Sequence, residues 1–431
     1  MFFIYSILLA FGFLIMSPLF LLRREKYASG FSQRLGNYSP FVHDGRSVIW
    51  LHCVSVGETN AARPLVEEIR KGFPNHRLVV STTTQTGQDL AKKVFAGKAD
   101  AVVYFPFDFK FSIRRALDNF KPSLVLLMET EIWPRFIREA KKSGSKIAIV
   151  SGRISRRSFE RYSAVHSFIS RVLSDVDLAL MQGFADADHI MKLGLNPQKV
   201  RQIGNLKFDH IIDQDGSGTA TELARRFKID GTRPLIVAAS THEPEEQYIL
   251  EALDGELGHS CRLLIAPRHP ERFDAVENLI RKAPYTLTRR SSPASESDGE
   301  AEVVLLDTIG ELRSVYPLAD IVFVGGSLIP HGGQSILEPA AAGKAIVTGP
   351  FTANFDEIVK MFLDNDAIQQ TSTVPQDFQN PERLYEHFID LLRDKQLRDK
   401  LGRNALAVMN ANRGATRKTI EELAKLVGEK R

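Results

Sequence analysis

Glu58 lies one residue after Gly57 in HCVSVGETNAARP (52–64), at the expected turn from a strand into a helix. A carboxylate at this point could stabilise the start of the helix through the helix dipole. It could instead project into a cleft as a general base that takes a proton from an attacking hydroxyl. The residues alone leave both interpretations of Glu58 open.

A second acidic site follows another apolar segment, and a lysine lies just before the expected linker, where we expect it to face the crevice. METEIWPRF (128–136) places Glu129 and Glu131 at the end of one such segment, and Lys207 lies in GNLKFD (204–209). A lysine there could stabilise negative charge that develops on a phosphate leaving group. Paired carboxylates would also suit a glycosidase, so hydrolysis stays open at this stage.

A glycine-rich segment in the second half could hold an anion. FVGGSLIPHGGQSILEPAAAGKAIV (323–347) passes through two glycine pairs and predicts a helix that begins near Gln334 or Ser335. Glycines allow backbone N–H groups to approach an anion, and a helix start adds partial positive charge. Glu338 could then accept hydrogen bonds from ribose hydroxyls. The alternative is an ordinary turn that packs a strand against a helix.

Two further loops favour a nucleotide site in the same half. APRHPERF (266–273) offers Arg268, and DTIGEL (307–312) could present the backbone N–H groups of Ile309, Gly310 and Glu311. A nucleoside monophosphate needs a phosphate cradle, a ribose acceptor and base contacts. The three loops together can supply all of these.

An arginine-rich stretch, GRISRRSFERY (152–162), contains Arg153, Arg156 and Arg157. Arginine forks bind phosphate bidentately, which would suit a phosphorylated acceptor, although a solvated helix face is the alternative. We expect no metal site and no cofactor, because HEPEE lacks two-histidine zinc spacing and no Asp-x-Asp triplet follows an apolar strand. The formal net charge of +4 is too small to indicate a nucleic-acid partner.

The elements that must position these residues alternate apolar strands with amphipathic helices. Continuous apolar strands between helices indicate parallel sheets that are covered on both faces, and the length suits two α/β domains. Ligands in such sheets bind at the carboxyl ends of strands, so we expect the active site in a crevice between two Rossmann-like, doubly wound domains. RRSSPASESDGE (289–300) is predicted to be an exposed, mobile loop.

The N-terminal residues 1–22 contain no charged side chain, and Arg23, Arg24 and Lys26 follow them. About 20 apolar residues can span the hydrocarbon core, so the pattern predicts a single transmembrane anchor with the rest of the chain cytoplasmic. The predicted organisation is an anchor (1–22), a first domain (23–210), a linker (211–222), a second domain (223–405) and a final helical segment (406–431).

Nine stretches resemble, in order, the signatures of one bacterial family, the 3-deoxy-D-manno-octulosonic acid (Kdo) transferases. They are HCVSVGE, TTTQTG, YFPFD, ETEIWP, GNLKFD, STHEPEE, PRHPERF, DTIGEL and FVGGSLIPHGGQSILEPAA. The resemblance runs from the N-terminus to about residue 360. It implies the glycosyltransferase-B fold, in which the last helix crosses back onto the first domain. It also implies action in lipopolysaccharide synthesis, on the cytoplasmic face of the inner membrane.

The resemblance further implies inverting, metal-independent transfer of Kdo from CMP-Kdo to the 6′-hydroxyl of a lipid A precursor, the tetraacyl disaccharide bisphosphate lipid IVA. It makes Glu58 the general base and Glu129 and Lys207 the stabilisers of the transition state. The implied CMP contacts are Pro267, Arg268, Ile309, Gly310, Glu311, Ser335, Ile336, Leu337 and Glu338.

Three positions depart from the family pattern. Ser335 stands where Asn is usual, Pro244 where Gly is common, and Ser151-Gly152 where Asn-Ala is usual. Two other functions compete with the implied one: a related glycosyltransferase that uses a UDP-sugar and a lipid acceptor, and a catalytically silent, nucleotide-binding membrane scaffold.

Overall fold

Two parallel sheets of seven strands each organise the chain. The computed structural model describes residues 1–22, 29–129, 131–209, 217–253, 260–371 and 381–428. The first sheet has the strand order β3-β2-β1-β4-β5-β6-β7, and the second has the order β10-β11-β9-β8-β12-β13-β14. The predicted α/β class with parallel sheets is confirmed.

The strands of the first sheet are β1 (Ser47–Cys53), β2 (His76–Thr82), β3 (Ala101–Tyr104), β4 (Pro122–Met128), β5 (Lys146–Gly152), β6 (Leu178–Met181) and β7 (Val200–Gln202). The strands of the second sheet are β8 (Leu235–Thr241), β9 (Arg262–Pro267), β10 (Leu287–Arg289), β11 (Val303–Leu305), β12 (Ile321–Val324), β13 (Ala345–Thr348) and β14 (Gln369–Gln370).

The helices are α1 (Phe2–Leu22), α2 (Phe31–Arg34), α3 (Val56–Ala61), α4 (Arg63–Gly72), α5 (Gln85–Val94), α6 (Lys110–Phe120), α7 (Pro134–Lys142), α8 (Arg156–Ser163), α9 (His166–Leu173), α10 (Phe184–Lys192), α11 (Ser217–Arg226), α12 (Glu245–Ala252), α13 (Phe273–Lys282), α14 (Leu312–Val315), α15 (Leu337–Ala341), α16 (Asp356–Asp364), α17 (Pro381–Arg393), α18 (Lys395–Asn412) and α19 (Ala415–Val427).

Strand β1 shows why the apolar segments form buried sheets. Val48 and Trp50 pack into the hydrophobic cluster on one face of the first sheet, whereas Ile49 and Leu51 pack into the cluster on the other face. Successive side chains of a strand point to opposite faces, so a strand covered on both faces is apolar at most of its positions.

The chain divides into two compact units. One consists of Met1–His210 together with Asn412–Arg431, and the other is Ile211–Ala411. The predicted linker (211–222) lies partly outside the described residues. Helix α19 belongs to the first unit, where Asp209 accepts hydrogen bonds from the backbone N–H groups of Gly414 and Thr416, both at 2.7 Å.

Helix α1 packs along the first unit. The Tyr5 hydroxyl donates to Asp108 at 2.7 Å, and the rings of Phe13 and Phe107 lie 5.3 Å apart. Within the described part of the chain, no helix combines the length and the apolar character needed to cross a membrane. The predicted transmembrane anchor is therefore not supported. The polar side chain of Tyr5 instead contacts Asp108 of the first unit.

The segment 289–300 is exposed over residues 291–297, as predicted, while its mobility stays a prediction. Two of its residues form ion pairs with neighbouring elements. Arg290 pairs with Glu222 at 2.8 Å and with Glu311 at 2.8 Å. Asp298 pairs with Arg226 at 2.8 Å, and both side chains are at most 7% exposed.

Candidate functional site

Glu58 lies in the first turn of α3, directly after β1. Its side chain is 7% exposed, and Oε2 accepts a hydrogen bond from the backbone N–H of Val54 at 2.7 Å. The carboxylate therefore satisfies a backbone donor just before the helix start, while the role of Glu58 as a general base stays a prediction.

Burial, together with the negative charges of Glu129 and Glu131, raises the pKa of Glu58 to about 8. The Val54 N–H and Lys207 oppose this rise without cancelling it. A desolvated carboxylate near other carboxylates holds its proton more tightly than one in water. Glu58 is therefore a stronger base than an ordinary glutamate when it is ionised.

Glu129 and Lys207 form an ion pair in the same unit. Lys207 Nζ lies 3.1 Å from Glu129 Oε1, and both side chains are about one-quarter exposed. Glu129 follows β4 with φ of 51°, an unusual backbone conformation for a residue other than glycine. Lys207 lies in a short 3₁₀ turn, and its backbone N–H donates a hydrogen bond to the Asn205 side-chain oxygen. Glu129 and Lys207 are close enough to Glu58 to change its pKa. The three predicted catalytic residues therefore lie near one another.

Glu131 is a fourth ionisable group of this site. Burial, with Glu129 adding to it, raises its pKa to about 7. The sequence indicated Glu131 only as one of two nearby carboxylates. The signal that could have selected it is its spacing from Glu129, two positions along the same strand end.

The three predicted acceptor arginines lie around the start of α8. Arg153 follows β5, and Arg156 and Arg157 are the first two residues of the helix. Arg156 is 90% exposed and pairs with Glu160 on the same helix at 3.2 Å. This pairing fits the alternative of a solvated helix face for Arg156. The acceptor role of the three arginines stays a prediction.

In the second unit, the loops after β9 and β11 enclose one pocket. Pro267, Arg268, Ile309 and Gly310 all line it. Gly310 has φ of 95°, a conformation that favours glycine. Two of the three loops predicted to bind the nucleotide therefore meet at one place.

The Glu311 side chain is already engaged. It accepts hydrogen bonds from Arg290 at 2.8 and 3.0 Å and from the Thr308 hydroxyl. The Arg290 guanidinium, with Thr308, lowers the pKa of Glu311. Glu311 therefore fixes the loop, and the group it can offer a ligand is its backbone N–H.

The glycine-rich segment differs from the prediction at its helix. Helix α15 begins at Leu337, beyond the predicted Gln334 or Ser335. Gly332 and Gly333 both have positive φ, so the chain is still turning there. The Ser335 hydroxyl accepts from the Leu337 N–H at 3.4 Å, and Ile336 and Leu337 are buried. Glu338 pairs with Arg313 at 3.0 Å.

Sequence reasoning missed Glu245, which holds this glycine-rich segment in place. Its two oxygens accept hydrogen bonds from four backbone N–H groups, those of His242, Gly326, Ser327 and Leu328, at 2.6 to 3.0 Å. Glu245 is completely buried. Its placement in STHEPEE, directly after β8, is the signal that could have found it.

Among the described side chains, no group of three or more His, Cys, Asp or Glu is arranged to hold a metal ion.

Comparison with known proteins gives consistent matches. A family model described as 3-deoxy-D-manno-octulosonic-acid transferase (kdotransferase) matches residues 29–210. The 3-deoxy-D-manno-octulosonic acid transferase of Haemophilus influenzae is 33% identical over 93% of this chain and 92% of its own length. The Bordetella pertussis protein of the same description is 31% identical over 88% and 87%.

A solved structure of a glycosyltransferase from Rickettsia africae is 13% identical and covers 89% of this chain and 99% of its own, with a TM-score of 0.57. At that identity, the match shows a shared fold.

Proposed function

The chain belongs to the family of Kdo transferases, glycosyltransferases of lipopolysaccharide synthesis, and on that premise we propose that it transfers Kdo from CMP-Kdo to the 6′-hydroxyl of lipid IVA. The transfer proceeds with inversion and without a metal ion. The observation that carries this proposal is the buried Glu58 carboxylate, whose pKa responds to Glu129 and Lys207.

In the proposed reaction, Glu58 removes the proton of the acceptor hydroxyl. The hydroxyl oxygen forms a bond to the anomeric carbon of Kdo while the bond from that carbon to the phosphate oxygen breaks. The electron pair of the broken bond leaves with CMP, and the proton stays on Glu58. A single displacement of this kind inverts the anomeric centre.

Lys207 and Glu129 support this step in different ways. The Lys207 ammonium stabilises negative charge that develops during the transfer, and Glu129, 3.1 Å from it, fixes its position. The negative charge of Glu129 also keeps the pKa of Glu58 high, which makes Glu58 a better base for a hydroxyl.

We assign the donor to the second unit. Arg268, Ile309 and Gly310 line one pocket. We assign the Arg268 guanidinium to the phosphate of CMP, together with the backbone N–H groups of Ile309, Gly310 and the adjacent Glu311. Glu338 is the acceptor for ribose hydroxyls. Ser335, Ile336 and Leu337 belong to the same assigned donor site, and a ligand that uses the Ser335 hydroxyl or the Leu337 N–H would replace the bond between them. The glycosyltransferase-B fold, with two Rossmann-like halves, is part of the same proposal.

We assign the acceptor to the first unit and the reaction to the cytoplasmic face of the inner membrane. The acceptor carries two phosphates, and Arg153, Arg156 and Arg157 offer guanidinium groups that bind phosphate well. The exposed apolar side chains of α1, which include Phe3, Leu8 and Phe11, would contact the acyl chains of such a lipid acceptor.

One assay tests the proposed function. The protein is incubated with lipid IVA and with CMP-Kdo generated in situ, in the presence of EDTA, and products are identified by mass spectrometry. We expect a Kdo-bearing lipid, whose mass also gives the number of Kdo residues added. Activity only with a UDP-sugar, activity only without EDTA, or CMP binding without any turnover would each contradict the proposal.

A further inference from the structure

Three histidines meet at the carboxyl ends of neighbouring strands in the second unit. His242 follows β8 and His269 follows β9, while His331 lies in the glycine-rich segment after β12. These strands are adjacent in the order β9-β8-β12. The His242 ring centroid lies 5.2 Å from that of His269 and 4.7 Å from that of His331. We call this group the histidine cluster.

The cluster adjoins the pocket that we assign to CMP. His269 stands between Arg268 and Pro270, which both line that pocket. Gln334 adds an amide, because its Nε2 lies 3.3 Å from Nε2 of His242. The backbone of Gly326 comes so close that a Cβ there would lie 3.3 Å from the His242 ring. The cluster is therefore a packed arrangement of polar groups, in line with the usual position of ligands at strand ends.

Two of the three carboxylates near the cluster, Glu245 and Glu246, are bound by other groups, and the third, Glu271, is near His269. Glu246 receives two hydrogen bonds from Arg272, at 2.6 and 3.1 Å, and the oxygens of Glu245 bind four backbone N–H groups. Glu271 lies 3.8 Å from Nδ1 of His269 and is largely exposed.

The charged groups around His242 would favour a bound anion. Burial, together with His331, His269 and Arg272, lowers the pKa of His242 to about 4, while Glu246 opposes this change. An anion placed among these rings would reverse that effect, because an opposite charge nearby favours the protonated imidazole. Neutral imidazoles can also donate one N–H each.

We propose that His242, His269, His331 and Gln334 form an anion subsite for the donor, which binds the carboxylate of the sugar or the phosphate of the nucleotide. This inference deepens the proposed function and rests on it. In CMP-Kdo, the carboxylate and the phosphate are both attached to the anomeric carbon. A subsite beside the CMP pocket would therefore contact one of these two anions, and it would distinguish a sugar acid from a neutral sugar.

The test uses the full chain with His269→Asn and His331→Asn combined, because both residues are exposed and the buried His242 stays in place. Three ligands separate the two anions: cytidine, CMP and CMP-Kdo. Hydrogen bonds to charged groups predict a loss of affinity of roughly 10–100-fold. If the cluster binds the phosphate, the Kd of CMP rises and that of cytidine does not. If it binds the carboxylate, only the KM for CMP-Kdo rises.

His166→Asn, on α9 of the first unit, is the matched control and should behave as the wild type. Unchanged Kd and KM in the double variant, or an equal loss of cytidine binding, would overturn the proposal.

A measurement without nucleotide separates this inference from the proposed function. Inorganic phosphate should shift the side-chain NMR signals of all three histidines even if the protein used a different donor. If phosphate leaves these signals unchanged, the anion subsite is refuted, whatever the assay with CMP-Kdo shows.

Discussion

At the residue scale, the ionised Glu58 carboxylate is stabilised by a hydrogen bond but destabilised by burial and by neighbouring negative charges. Its carboxylate binds the Val54 N–H, yet burial and two neighbouring carboxylates raise its pKa from the ordinary 4.5 to about 8. A carboxyl group whose pKa is higher in the folded chain binds protons more tightly there, so the chain loses stability as the pH rises from about 4.5 to 8. At 1.36 kcal/mol per unit, this loss amounts to at most about 5 kcal/mol.

Glu58→Gln should therefore lower activity and raise stability. We expect turnover to fall by roughly 10²–10⁴-fold, the range for loss of a general base. The midpoint of thermal unfolding should rise at pH 9 and not at pH 4, because Gln keeps an oxygen for the Val54 N–H. Initial rates and thermal melts at the two pH values check this.

Glu131→Gln is the matched control for that variant. It removes a second carboxyl with a raised pKa, so it should also gain stability at alkaline pH while keeping an activity well above that of Glu58→Gln. Near-normal turnover in Glu58→Gln would refute its role as the base.

The rate should depend on pH through Glu58. Only the ionised carboxylate accepts a proton, so kcat/KM should rise about tenfold per pH unit below pH 8 and level off above it. Glu129→Gln removes a charge that raises the pKa of Glu58, so the midpoint of this profile should move to lower pH. A profile of kcat/KM between pH 5 and 10 measures the apparent pKa at its midpoint separately from the maximal value of kcat/KM. A midpoint that stays in place, or moves to higher pH, would contradict the coupling.

At the scale of elements, the glycine-rich segment takes its shape from Glu245 on α12. Burial raises the pKa of Glu245, and four backbone N–H groups oppose that rise. The same N–H groups would be left buried without an acceptor if the carboxylate were removed.

Glu245→Ala should therefore destabilise the second unit and weaken nucleotide binding together. Each buried donor without a partner costs about 1–3 kcal/mol, so we expect a loss of at least about 3 kcal/mol in the free energy of unfolding and a higher Kd for CMP. Urea unfolding and calorimetric titration measure the two effects. Glu251→Ala, on the exposed side of the same helix, is the control. An unaltered Kd for CMP in Glu245→Ala would contradict this positioning role.

Buried central strands could be predicted from the sequence, whereas short edge strands and a helix start could not. Strands such as β1, β4 and β8 were predictable because burial on both faces demands a continuous apolar run. Strands β7 (VRQ), β10 (LTR) and β14 (QQ) were missed, since short edge strands can be polar. The start of α15 was placed too early, because Gly332 and Gly333 continue the turn.

At the scale of the whole molecule, the sequence indicated the candidate site better than its surroundings. Glu58 and Glu129 could be identified as candidates because each follows an apolar strand, and parallel strands bring such ends to one edge, whereas Lys207 follows the polar strand β7. The position of Glu245 after β8 could have marked it as a candidate, but its role and that of the histidine cluster depend on contacts across β8, β9 and β12, which no local pattern encodes. The family resemblance is confirmed, whereas the assigned site residues remain predictions.

The last helix makes the first unit depend on both ends of the chain. In α19, Ile420, Leu423 and Ala424 are at most 5% exposed and pack into the cluster that also contains Leu65 of α4. Burial of a leucine or isoleucine side chain contributes about 1.5–3 kcal/mol, a sizeable part of the 5–15 kcal/mol that stabilises a typical protein.

Deletion of residues 412–431 should therefore destabilise the first unit and spare the second. We expect the deleted chain to lose transferase activity and to become sensitive to protease between residues 29 and 209, while its affinity for CMP stays within about twofold of the wild type, because separate units unfold separately. Leu423→Ala is the milder version, with an expected loss of about 2–5 kcal/mol, and the exposed Glu421→Ala is its control. Protease resistance of the first unit in the deleted chain would show that residues 1–210 fold without α19. An equal loss of CMP binding would show instead that the second unit also requires the deleted segment.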